Sequence, residues 1–104
     1  MTMDGLQSDL LLLLHEGDKT AGELAGALEE LGGRRLALAT LYRHLQRLVD
    51  SKWIEIDDSR SATALGRPRR SYSITEAGRR CLRRALDEQN RRLVRAAASG
   101  LLEG

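Results

Sequence analysis

In Leu38-Ala39-Thr40-Leu41-Tyr42-Arg43-His44-Leu45-Gln46-Arg47-Leu48-Val49, the leucines at 38, 41, 45 and 48 recur three and four residues apart, and Val49 joins them. That period lines one face of a helix with apolar side chains and predicts a helix over residues 37–51. Its opposite face carries Ala39, Thr40, Arg43, Gln46, Arg47 and Asp50. Small side chains, an amide and guanidinium groups are the residue types that read base edges from a major groove. Arg43 and Arg47 stand one helical turn apart, and each can pair with a guanine.

Downstream the period changes from that of a helix to that of a strand. Ile54-Glu55-Ile56-Asp57 alternates after Trp53, and Arg70-Ser71-Tyr72-Ser73-Ile74 alternates again. Two strands are predicted there. The polar stretch between them, residues 58–69, contains Gly66 and the single proline, Pro68, and is too short for a parallel crossover. An antiparallel hairpin is therefore expected. Its arm is basic, with Arg60, Arg67, Arg69 and Arg70 and no acid from 59 through 75. Thr75 offers an N-cap and Glu76 suits the positive end of a helix that runs toward Ser99. Leu82, Leu86, Gln89, Leu93 and Ala96 form the seam of this last helix, which extends beyond so small a core and is expected to bury that seam against a partner subunit. Arg79, Arg80, Arg83, Arg84, Arg91, Arg92 and Arg95 surround it, and solvation with pairing to Asp87 and Glu88 is the expectation for them.

Upstream, Leu6, Leu10, Leu13 and Leu14 recur at helical spacing, widened by Leu11 and Leu12, and Gly17 supplies a stop, so a first helix is predicted over residues 4–16. Thr20-Ala21-Gly22-Glu23 has the form of a capping box. A second helix follows through Leu24, Leu28 and Leu31 and ends at Gly32-Gly33, leaving a short connection with Arg34 and Arg35.

A chain of 104 residues, 41% hydrophobic and 31% charged, is expected to form one folded unit. Three aromatic residues, Tyr42, Trp53 and Tyr72, leave a core of leucine and alanine, which favours helices. The lone Cys81 excludes an internal disulfide and implies a reducing compartment. The longest apolar run, Leu10 to Leu14, is far below the roughly 18 residues of a membrane span, so neither a span nor a signal peptide is expected. No phosphate loop, paired carboxylates or nucleophile–histidine–acid set is evident, and His15 and His44 stand alone. No enzyme activity, cofactor or metal site is expected. The net charge of +2 hides an asymmetry: residues 1–33 set seven acids against Lys19, net −6, while from Arg34 onward sixteen bases face eight acids, net +8. Fifteen of the seventeen bases are arginine, whose planar fork suits phosphate and guanine.

Three helices, a hairpin and a fourth helix are the element order of a winged helix-turn-helix: a mainly α fold with a small antiparallel β-hairpin and a C-terminal dimerisation helix. Residues 1–75 are expected to form the DNA-binding part and 76–104 the dimerisation helix of the same compact unit. Two separated motifs, Thr40-Leu41-Tyr42 opening the third helix and Gly66-Arg67-Pro68-Arg69 leading to Tyr72-Ser73-Ile74-Thr75-Glu76-Ala77-Gly78, resemble the PadR-like transcriptional regulators over about residues 6–95. The resemblance implies a bacterial or archaeal cytoplasmic setting at the nucleoid. It also implies a homodimer joined through the C-terminal helix, and a repressor of two-fold symmetric promoter DNA. It places Thr40, Tyr42 and Arg43 at the DNA-facing start of the third helix, with Ala39 permitting close backbone approach, and Gly66, Arg67, Arg69 and Arg70 in the wing. The chain departs from the family pattern where Ala37-Leu38-Ala39 replaces a ser-pro-gly, removing a side-chain cap. Its last helix has no aromatic residue to sandwich a flat ligand. A third reading is ligand-controlled repression, in which a small molecule binds the dimer and splays the reader helices, and nothing in the sequence identifies an effector. The competing reading is a winged-helix protein-interaction module that uses the acidic first third and lacks sequence-specific DNA binding.

Overall fold

The computed structural model describes residues 5–32, 35–57 and 70–100. The described elements are α1 (Gly5–His15), β1 (Lys19–Thr20), α2 (Ala21–Gly32), α3 (Leu38–Asp50), β2 (Ile54–Asp57), β3 (Ser71–Ile74) and α4 (Glu76–Ala98). Leu6, Leu10, Leu11, Leu13 and Leu14 of α1 are all buried. A helix apolar on nearly every side belongs inside a fold, and α1 is the central one, packed against α2, β3 and α4. A cation meets its C-terminal end: Lys19 Nζ donates to the carbonyl of Leu13 in the last turn at 2.7 Å and to that of Gly17, just past the helix, at 3.2 Å.

The capping box forms as its sequence predicts. The Thr20 amide donates to Glu23 Oε1 at 2.9 Å and the Glu23 amide donates to Thr20 Oγ1 at 3.2 Å, so α2 starts at a defined residue. Leu24 and Leu28 are buried on this helix, but Leu31, expected in the same stripe, is 50% exposed. In α3, Leu41, Leu45 and Leu48 are wholly buried, whereas Leu38, also expected in the stripe, is 53% exposed. Leu31 and Leu38 sit at the helix ends that flank the α2–α3 connection, where Leu36 rather than either of them packs against the core. Ala37 caps α3 in an extended conformation with no side-chain hydrogen bond, as its departure from the family pattern implies.

The expected two-stranded hairpin is part of a three-stranded antiparallel sheet of order β1-β3-β2. Ile54 pairs with Ile74 and Ile56 with Tyr72 across β2 and β3, while β1 adds Lys19 opposite Tyr72 and Thr20 opposite Ser71. Ile54, Tyr72 and Ile74 reach the core; Trp53 packs at its edge. Residues 58–69, expected as the wing arm, lie outside the described residues.

The start of α4 is locked to the turn between α3 and β2. The Thr75 hydroxyl accepts from the Gly78 amide at 3.0 Å and donates to the Lys52 carbonyl at 2.7 Å, and the Thr75 amide donates to the Trp53 carbonyl at 2.9 Å. Lys52 itself has φ 63°, the left-handed region that an L side chain adopts at a cost. Gly78 is required by this contact: a Cβ there would overlap the Trp53 carbonyl oxygen and lie 2.8 Å from Ile74 Cγ1. Beyond Gly78 and Leu82, α4 buries no residue against the described chain.

Candidate nucleic-acid interface

The interface is built on α3. With 100° between successive residues, a seam at Leu41, Leu45 and Leu48 directs Ala39, Arg43, Arg47 and Asp50 away from the core. Ala39, Arg43 and Arg47 are exposed and Thr40 is half-buried at the edge of that face. Gln46 Nε2 donates to Asp50 Oδ1 at 3.0 Å, so the one carboxylate on the face is engaged along its own helix. Among the described residues Arg43 and Arg47 make no ion pair. Two uncompensated guanidinium groups thus project from a helix whose other side is anchored by three fully buried leucines. Such anchoring fixes the position of the exposed face relative to the core.

Tyr42 occupies a different sector of α3. It is 52% exposed and lines an open groove of about 710 Å³ with Thr20, Gly22, Glu23, Arg70 and Tyr72. The groove brings the start of α2, the first turn of α3 and the base of the wing strand to one place. Arg70, expected in the wing, is exposed at its rim. Arg67 and Arg69, and Gly66 beside them, lie outside the described residues. The groove was not legible in the sequence because β1, two residues long, is too short to show a period, and it is the β1–β3 pairing that carries Tyr72 and Arg70 to the α2 capping box.

Residues expected at a subunit interface divide along α4. Leu82 is 4% exposed and belongs to the domain's own core. Leu86 and Leu93 are exposed, as is Gln89, and Ala96 is half-buried. Val94, not singled out from the sequence, is also largely exposed. The expected pairing of the α4 arginines with Asp87 and Glu88 is not formed among the described residues, where the ion pair of this helix is Arg79 with Glu76 at 3.8 Å. His44 is half-buried with Nδ1 unpartnered, and no group of three or more metal-ligating side chains occurs among the described residues. No described helix is long and apolar enough to cross a membrane.

A central helix, an α2–α3 pair, a three-stranded antiparallel sheet and a long C-terminal helix define a winged helix-turn-helix architecture. The chain belongs to the PadR-like family of transcriptional regulators, whose family model matches residues 10–84. Its fold matches a PadR-like transcriptional regulator from Bacillus cereus at 26% identity and TM-score 0.74, over 95% of this chain and 92% of that one. A PadR family regulator from Clostridium difficile is 22% identical with TM-score 0.71, over 95% of this chain and 99% of that one. Bacillus subtilis PadR, crystallised in complex with operator DNA, is 24% identical with TM-score 0.68; the match covers 80% of this chain and 47% of that longer chain. No curated protein matches this chain.

Proposed function

We propose that this regulator is a homodimeric, sequence-specific repressor that binds a two-fold symmetric promoter site in duplex DNA. The observation that carries this reading is α3: Arg43 and Arg47 exposed and, among the described residues, without ion pairs, opposite a seam of wholly buried leucines. Two reader helices, one per protomer, enter successive major grooves. Arg43 and Arg47 take guanine edges, Ala39 lets the helix backbone approach, and Thr40 and Tyr42 contact the flanking strand. Arg67, Arg69 and Arg70 of the wing take phosphates beside the groove. The Bacillus subtilis relative, crystallised in complex with operator DNA, supports a DNA partner for this fold.

The dimer is joined through residues 76–104, where Leu86, Leu93 and Ala96, with Gln89 between them, offer a face that the chain's own core leaves uncovered. The protein acts in the cytoplasm, at the nucleoid, with no cofactor or metal and no catalytic step. The test is selection from a pool of random duplexes at two salt concentrations. An enriched inverted repeat whose retention falls as salt rises is the expected result. Retention without an enriched sequence overturns sequence-specific regulation, and no retention favours a protein-interaction role.

A further inference from the structure

Four of the seven arginines of α4 share one line along the helix, while Arg79, Arg83 and Arg92 lie to either side of it. At 100° per residue Arg80, Arg84, Arg91 and Arg95 fall within about 60° of its circumference, diametrically opposite Leu82, Leu86, Leu93 and Ala96. All four are exposed and, among the described residues, none has an ion-pair partner. The helical rise sets Arg80 and Arg84 about 6 Å apart, Arg91 and Arg95 the same, and the two pairs about 16 Å apart centre to centre. Asp87 and Glu88 flank the gap between the pairs.

We propose that this stripe is a second, sequence-independent binding surface for duplex DNA, distinct from the reader helix. The spacing fits the sugar-phosphate ridges on either side of a major groove about 12 Å wide: each arginine pair lies on one ridge, and the two acids sit over the groove, away from phosphate. A second duplex is favoured over the operator itself because α4 packs on α1, whereas α3 packs on α2 and β2, so the stripe does not run beside the readers. It is favoured over an acidic protein segment because the two arginine pairs, about 16 Å apart along one straight line, match the regular spacing of two phosphate ridges, and each planar fork takes phosphate oxygens in pairs. Pairing of two copies through the Leu86–Leu93 face leaves the stripe pointing outward, so the protein bridges two duplexes. This inference rests on the proposed reader role of α3 for the first duplex.

The test is a bridging assay with the full chain, in which a bead-bound duplex captures a fluorescent duplex of unrelated sequence. The unaltered protein is expected to capture it. The R80Q/R84Q/R91Q/R95Q variant is expected to lose at least about tenfold of that capture while its affinity for a single selected duplex changes little. In the converse variant, R43Q/R47Q, the preference for the selected sequence is expected to vanish while retention on unrelated duplex persists. Single-duplex binding without capture of a second overturns the inference alone, as does bridging that survives the fourfold substitution. No retention of any duplex overturns both this inference and the reader role. Release by polyglutamate at charge concentrations where competitor duplex has no effect assigns the stripe to an acidic protein instead.

Discussion

Gly78 and Thr75 bear more of the fold than their size suggests. The Thr75 side chain joins the α4 start to the Lys52 carbonyl, and the absent side chain of Gly78 lets the Trp53 backbone pass. Gly78→Ala forces backbone against Cβ, where neither group can rotate away, and is expected to destabilise by about 3 kcal/mol, at the upper end of ordinary overpacking. Thr75→Val keeps the shape but removes the cap and is expected to cost about 1–2 kcal/mol. Urea titration reads both: the midpoint falls while the m-value holds. On the reader face, Arg43→Ala and Arg47→Ala are expected to leave that midpoint unchanged. Each should relax preference at one base pair of the selected site by about 1–3 kcal/mol, seen in competition binding against single-base variants. A uniform loss over all sequences would reassign the arginine to phosphate.

At the scale of elements, the two helices of the helix-turn-helix are started by different means. The reciprocal bonds of Thr20 and Glu23 define the start of α2, whereas α3 starts at Ala37 with no side-chain acceptor for its free amides. Ala37 already has the extended backbone of an N-cap, φ −61° and ψ 141°, so Ala37→Ser needs no rearrangement. It is expected to stabilise the domain by about 0.5–1 kcal/mol, whereas Thr20→Ala should cost about 1 kcal/mol; thermal denaturation of the two variants separates gain from loss. The same comparison shows how far local pattern reaches. The stripes of α1 and α3, the capping box, the Thr75 cap and the two longer strands were legible because each repeats a period or a capping signature within a few residues. Leu31 and Leu38 were misplaced because they satisfy the helical period at helix ends that the core does not reach. The strand Lys19–Thr20 escaped because two residues have no period.

At the scale of the molecule, α4 is about 34 Å long by its helical rise, and its second half buries no side chain among the described residues. The radius of gyration of 16.0 Å exceeds the roughly 13 Å of a compact 100-residue domain, in keeping with a long helix that leaves the core. If this face joins two protomers, Leu93→Glu places a charge in the seam without touching the domain core, since Leu93 is exposed in the single chain. Sedimentation is expected to show an 11.5 kDa monomer that keeps its helical content. Its binding to a full inverted repeat should fall to that of a half-site. A variant that stays dimeric would remove α4 from the interface. Salt dependence is also a property of the assembly: the slope of log affinity against log salt should approach −0.9 for each phosphate contacted and be shallower for the monomer.

Sequence by itself determined the helices, their starts, the alternation of the strands and the partition of charge, because all of these are written in neighbours within one or two turns. It also carried the two separated motifs that mark the family. Only the tertiary structure decided which apolar residues the core reaches, dividing Leu82 from Leu86 on one continuous stripe. It alone brought Tyr42, Arg70 and the α2 capping box around one groove, since that meeting depends on a strand pairing between residues more than fifty positions apart. It also explained Gly78, whose missing side chain makes room for a carbonyl twenty-five residues upstream. Contacts across such separations leave no periodic trace along the chain, and they become visible when the backbone closes on itself.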